Sequence, residues 1–183
     1  MNTTTAENLE RLRKGDVGAF TEIVRTYQDS MLRIAYRVVG QQAEAEDVRQ
    51  NVLLRLWQSP DKTPPVERFA AWLHRCTVNE AISRVRSSKR NETRFCELKD
   101  AASESTSNAS LELNEQREIL QMTMLQLEPE QRAILSLKFD EQLTVREIGS
   151  ILKQPHTTVQ SKLRRAIEQL RNLMGASVER RKP

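Results

Sequence analysis

Gln160, Ser161, Arg164 and Arg165 lie on one side of a segment whose other side carries Val159, Leu163, Ala166 and Leu170. Apolar residues at that spacing describe a helix resting on a core, which turns the polar set outward together with Glu168 and Arg171, with Lys162 on the flank. Gln, Ser, Lys and Arg near the start of such a helix, with Thr158 just ahead of them, can hydrogen-bond to base edges in a major groove. Arginines farther along suit phosphates. The chemistry on offer is recognition of duplex DNA. The plainer alternative is a solvated charged face on a core helix.

The elements that would position this face favour recognition. Thr144 and Glu147 have the spacing of a capping box opening the helix "VREIGSILK", and Thr157 and Gln160 the spacing of a second box opening "TVQSKLRRAIEQL". Only Lys153, Gln154, Pro155 and His156 remain between the two, and the proline forbids one continuous helix. Two short helices joined so tightly cross steeply, which is the helix-turn-helix plan. Gly149 removes a side chain where the second helix could come close. Gln160 is left with two possible roles, closing its cap or reaching a base.

The N-terminal half offers different surfaces. Phe20, Ile23, Val24, Tyr27, Met31, Ile34, Ala35 and Val38 mark a helix from about Asp16 that Gly40 would stop. In "QAEAEDVRQNVLLRLWQ", Val48, Val52 and Leu56 form a buried stripe, while Asp47, Gln50, Asn51 and Leu54 share the opposite face. An acidic and amide face with a bare leucine is either a dock for a basic protein or simply solvated. Pro60, Pro64 and Pro65 predict a loop over "SPDKTPPVER". In the next helix, Phe69, Trp72, Leu73 and Cys76 lie nearly opposite Ala81, Ile82 and Val85, so this segment either bends near Thr77–Asn79 or serves two partners. Its aromatics, Phe69 and Trp72, are either core or a stacking platform for unpaired bases. Its bases Arg75, Arg84, Arg86, Lys89, Arg90 and Arg94 suit a nucleic-acid backbone.

The chain has 183 residues, 30% charged and 4% aromatic, with five glycines and a formal net charge of +4. Few glycines, many helix formers and no strand alternation predict an all-α protein of two helical domains, 1–95 and 113–183. The Ser- and acid-rich stretch 96–112 has the composition of a flexible linker. No apolar signal core or membrane-length run is present, which predicts a cytoplasmic protein. Cys76 and Cys96 form no metal-ligand pair.

"AEDVRQNVLLRLW" followed by "FAAWLHRCTVNEAISRVR" resembles region 2 of the sigma-70 family. "LEPEQRAILSLKFDEQLTVREIGSILKQPHTTVQSKLRRAIEQL" resembles region 4. With only a short linker between, the whole resembles an extracytoplasmic function (ECF) sigma factor over roughly residues 10–173. The resemblance implies a transcription initiation factor whose partners are core RNA polymerase, promoter DNA and an anti-sigma factor. It implies no cofactor, metal or small-molecule substrate. Asp47, Gln50, Leu53, Leu54 and Trp57 match its polymerase-docking positions, with Asn51 where an acid is usual. The loop Asp61–Arg68 matches the one that captures a flipped −10 base. Lys62, Arg68, Trp72, Arg75, Asn79, Arg84, Arg86, Lys89 and Arg90 make up the expected −10 surface. Lys138, Thr158, Gln160, Ser161, Lys162, Arg164 and Arg165 make up the expected −35 surface.

Two other classes remain to be weighed. A helix-turn-helix regulator acting without polymerase would need neither a docking face at Asp47–Trp57 nor the basic cluster at Arg84–Arg94. An enzyme would need more than His74 and His156, neither of which has a matched nucleophile or metal-spaced ligands, and no Gly-rich phosphate loop is present.

Overall fold

The computed structural model describes residues 3–94 and 120–179, without the side chains of 3, 89–94 and 175–179. The predicted linker 96–112 and the first residues of the predicted helix 113–127 lie outside the described residues. Four helices form the N-terminal half: α1 (Thr3–Arg13), α2 (Val17–Val39), α3 (Gln42–Gln58) and α4 (Val66–Arg94), with a 3-10 turn at Pro60–Lys62. The C-terminal half has α5 (120–125), α6 (Pro129–Leu135) running into a π-helical segment (Ser136–Asp140), α7 (Val145–Leu152) and α8 (His156–Glu179). Among the described residues there is no strand.

Local chemistry sets the ends of α2. The Asp16 carboxylate accepts from the Ala19 amide at 3.1 Å and is gripped by Arg11 at 2.8 Å. These partners hold its pKa below the ordinary carboxylate value. Gly40 ends the helix at φ 89°, its amide bonding the Tyr36 carbonyl at 2.8 Å. A Cβ at Gly40 would run into the Leu125 side chain, so the same glycine admits α5. The helix α1 was not foreseen. Its Leu9 and Leu12 are fully buried against α2 and α4, a pair at i, i+3 too short to read as a stripe.

The α4 helix is continuous over 29 residues, so the change of apolar face reflects two partners and not a bend. Phe69 and Leu73 enter one core with Leu9, Leu12, Ile23, Met31, Val52 and Leu56. Val78 and Ala81 enter a second with Ile34, Ala35, Val38, Ala45 and Val48. At about 100° per residue, the nine steps from Phe69 to Val78 turn the helix by a net half-circle. Phe69 has 0% exposure, which makes it core. Trp72, half-buried, stacks on it with ring centroids 5.8 Å apart.

The second core does not stop at the N-terminal half. Ala133, Ile134, Leu137, Ile148, Ile151 and Val159 belong to the same cluster. The halves predicted as separate domains are thus packed together, α2 against α6 and the π segment, α4 against α7. A polar seam borders the contact. Arg33 donates to Glu141 at 3.1 and 3.2 Å, Arg37 to Asp140 at 3.1 and 3.3 Å, and the Ser30 hydroxyl to Glu141 at 2.8 Å. Ser30 has one proton, and Glu141 takes it. The His74 Nε2, 2.9 Å from the Ser30 oxygen, must therefore be the donor there, which fixes the neutral ring's proton on Nε2.

Burial of His74, 8% exposed, lowers its pKa below the ordinary 6.5; the Glu141 carboxylate opposes this shift and Arg33 adds to it. The unfolded ring therefore takes up its proton before the folded one. The stability contributed by the neutral ring is complete above pH 6.5 and falls as pH drops below that value through the depressed folded pKa. The lowered carboxylates Glu130 and Glu147 act only below about 4.5, and Asp16 below about 3.8. The urea midpoint should therefore fall between pH 7.5 and 5.5, and His74→Gln should flatten that slope. An equal slope in both proteins would show that His74 does not cause it.

Candidate polymerase and nucleic-acid interfaces

The box at the start of α7 forms as spaced in the sequence. The Thr144 amide and hydroxyl both donate to Glu147 Oε2 at 2.7 Å, and the Glu147 amide returns a bond to Thr144 Oγ1 at 3.3 Å. These bonds hold the Glu147 pKa below its ordinary value. The second box does not form. The Pro155 carbonyl takes the first helical bond, from the Val159 amide at 3.1 Å, so α8 begins at His156 and Thr157 already lies inside its first turn. Gln160 is exposed and makes no hydrogen bond among the described residues, so no cap competes for its amide.

The turn is tight for two reasons. Lys153 adopts the left-handed conformation at φ 54°, and the Gln154 amide bonds the Gly149 carbonyl at 2.9 Å. A Cβ at Gly149 would sit 2.8 Å from the Gln154 carbonyl oxygen. The close approach foreseen for Gly149 is thus made mainly with the turn, and the start of α8 lies just beyond.

On α8, Val159 and Ala166 are buried, while Gln160, Arg164, Arg165, Glu168 and Arg171 are exposed and Thr158 and Ser161 half-buried. Lys162 is differently placed. Its ammonium pairs with Glu130 at 2.8 Å and donates to Gln154 Oε1 at 3.0 Å, while the Gln154 amide bonds Glu130. Burial pushes the Glu130 pKa up, but the bonds from Lys162 and Gln154 outweigh it and hold the carboxyl below its ordinary value. This knot ties α6, the turn and α8 at one point. Lys138 donates to the Leu143 carbonyl at 3.2 Å and supports the entry to α7.

On α3, Val48, Val52 and Leu56 point inward, and Asp47, Gln50 and Leu54 outward. Leu54 is 53% exposed and Trp57 37%. The Trp57 indole packs on Phe20 at 5.2 Å, and Leu53 lies half-buried against the first core. Phe20, at helical spacing with the core residues of α2, is half-buried and supports an exposed tryptophan. Asn51 donates to Glu80 at 3.1 Å, and Asp47 pairs with Arg84 at 2.6 Å, so both carry ties to α4.

The expected −10 surface gathers along α4 and the loop before it. The loop is shorter than foreseen: Val66 opens α4, so Arg68 is helical, and only 63–65 separate the helix from the 3-10 turn. Thr63 is buried, its hydroxyl donating to the Pro60 carbonyl at 2.7 Å. Lys62, Arg68, Asn79 and Arg86 are exposed, Arg75 and Arg84 half-buried. The side chains of Lys89, Arg90 and Arg94 lie outside the described residues. Asn79, Ser83 and Arg86 line an open cleft of about 730 Å³ whose far wall includes Glu130, Leu152 and Gln154. Glu130 was not foreseen; its place opposite α4 depends on the packing of the halves.

A helix-turn-helix with an exposed basic face on α8, packed on a helical half that bares leucine and tryptophan on α3, defines a DNA-binding class of protein. Residues 23–91 match the family model for Sigma-70 region 2, and residues 117–170 that for Sigma-70, region 4. The ECF RNA polymerase sigma factor SigW of Bacillus subtilis is 29% identical, over 93% of this chain and 97% of its own length. The RNA polymerase sigma-E factor of Streptomyces avermitilis is 32% identical over 86% of each chain. CnrH, solved in complex with the cytosolic domain of CnrY, shares the fold at a TM-score of 0.66 and 21% identity, over 94% of this chain and 98% of its own. The sigma factor RpoE of Bartonella quintana, solved with the anti-sigma factor NepR, does so at 0.69 and 22%, over 87% and 98%. The chain belongs to the sigma-70 family as an ECF sigma factor, a class that binds core RNA polymerase and promoter DNA to initiate transcription.

Gly149→Ala tests the turn. Helix propensity alone favours alanine by about 1 kcal/mol. The clash is with backbone, and overpacking of that kind costs about 1–3 kcal/mol. A thermal scan should show Tm falling by a few degrees, and a rise would mean that the turn yields freely.

Proposed function

We propose a division of labour within the ECF sigma activity. Residues 1–95 dock on polymerase and handle the −10 element, 96–112 tether, and 113–183 read the −35 element. Gln160, Ser161, Arg164 and Arg165 contact the −35 duplex, with Thr158 at the edge of that face. Lys162, held on Glu130, orients α8, and Lys138 supports α7. The observation that carries this reading is the exposed, cap-free start of α8.

Leu54 and Trp57, supported by Phe20 and flanked by Asp47, Gln50, Asn51 and Leu53, form the docking ridge for core polymerase. An exposed apolar pair beside acid suits a basic, apolar partner surface. Lys62, Arg68, Trp72, Arg75, Asn79, Arg84, Arg86, Lys89 and Arg90 serve the separated −10 strand, Trp72 by its half-exposed ring. The chain works in the cytoplasm without catalytic chemistry of its own. RpoE was solved with an anti-sigma factor, and we extend that class of partner to this chain.

Run-off transcription with bacterial core polymerase on sheared genomic DNA should give discrete transcripts only when the chain is added. Arg164→Ala or Arg165→Ala should lower promoter-directed output about tenfold, the scale of a lost base or phosphate contact, and leave co-elution with core polymerase intact. Asp47→Arg with Leu54→Ala should abolish co-elution first. If both sets failed at the same step, the division would be wrong.

A further inference from the structure

We propose that Arg13, at the end of α1, is a positioning residue for the −10 surface: through Thr63 it sets where the loop before α4 holds Lys62 relative to Arg68. The proposal rests on the reading of those two cations as strand-binding residues. Arg13 lies ahead of residues 23–91, which match Sigma-70 region 2, so the assignment comes from the geometry of this chain.

The loop is stiff within itself. Proline occupies positions 60, 64 and 65, which fixes φ at each. Thr63 is extended, at φ −73° and ψ 139°, and the proline after it restricts it to that region. The Lys62 amide bonds the Ser59 carbonyl at 3.1 Å, and the Thr63 amide bonds the Pro60 carbonyl at 3.1 Å. Asp61 and Lys62 are exposed, whereas Thr63 is turned inward and buried. A piece this stiff moves as a unit, so its attachment decides where its side chains stand.

The attachment is Arg13. Its Nη2 donates to Thr63 Oγ1 at 3.2 Å and to the Thr63 carbonyl at 3.4 Å. The Thr63 hydroxyl has one proton, which goes to the Pro60 carbonyl at 2.7 Å, so toward Arg13 that oxygen can only accept. The bonds thus run in one direction, from guanidinium to hydroxyl to the start of the 3-10 turn. Among the described residues Arg13 has no ion pair, so its donors are given to the loop alone.

The base of this tie is firm. Leu12, directly before Arg13, and Leu9 sit in the first core beside Phe69 and Leu73 of α4. Arg68 is the neighbour of Phe69, so the tie and the start of α4 share one reference. Lys62 and Arg68 are both exposed, and a shift of the loop changes the spacing of charge they offer a phosphate backbone. The Arg13 bonds are long and only part-buried, so cutting them frees the loop and leaves the core intact.

The test is fluorescence anisotropy with the full chain on core polymerase and labelled single strands of the −10 region of a promoter mapped by run-off transcription. Thr63→Val is the deciding variant, because it keeps shape and charge and removes the hydroxyl. T63V and R13A should each weaken strand binding about threefold to tenfold, the scale of one hydrogen bond. The double variant should be no weaker than either single, since both cut the same tie. T63S should bind as wild type, and all four should co-elute with core polymerase, which a general loss of fold would prevent. Affinity lost in R13A but kept in T63V would make Arg13 a direct contact and overturn the proposal. So would losses that multiply in the double variant, a T63S as weak as T63V, or a T63V that no longer binds core polymerase. K62A/R68A separates the two levels: if it weakens strand binding and T63V does not, only the Arg13 tie falls. If K62A/R68A binds as wild type, the strand reading falls and the proposal with it.

Discussion

A helix in a single small core buries one stripe, and α4 buries two, half a turn apart. This constraint organises the molecule. The first stripe, at Phe69 and Leu73, closes the core that α1, α2 and α3 build. The second, at Val78 and Ala81, opens onto the cluster shared with the C-terminal half. Because α4 has no proline or glycine and runs unbroken, whatever packs on its second stripe is fixed relative to whatever packs on its first. The exposed residues between the stripes, Asn79 and Ser83, therefore lie at the mouth of a cleft that exists only while the halves are together.

The two kinds of contact across that seam differ in character. Apolar packing supplies most of the attraction but little directionality. Arg33, Arg37 and Ser30 add direction, since Glu141 and Asp140 must arrive at set positions to satisfy them. Half-exposed ion pairs contribute little net stability one by one, so the polar seam chooses the arrangement more than it strengthens it. Behind the seam the buried imidazole of His74 gives its Nε2 proton to the Ser30 oxygen, which leaves the hydroxyl proton for Glu141.

Much of this was legible in the sequence wherever a feature was local. Helix α2 runs between its Asp16 cap and Gly40, α3 buries the stripe Val48, Val52, Leu56, and Thr144 closes on Glu147 as their spacing required. The features that escaped are set by contacts far along the chain. Periodicity revealed that α4 changes face but not what lies on each side, because that depends on Ile148 and Ile151, some 70 residues away. Gly40 read as a helix stop; its contact with Leu125 did not. The Thr157 cap failed for a local reason that spacing overlooks: Pro155 lacks an amide but keeps a carbonyl, and that carbonyl started the helix first.

Lys162 and Arg164 show why residue type alone does not assign a role on a recognition helix. Both are cations about two turns into α8, and both suit phosphate or guanine. Lys162 already has a carboxylate at 2.8 Å and an amide oxygen at 3.0 Å. Turning to DNA would strip it from Glu130, leaving that acid near Arg86 and the cleft. Arg164 is exposed, without an ion pair among the described residues, and loses no such partner on contact. Equal charges two residues apart thus divide into one already engaged across the turn and one exposed without an ion pair among the described residues.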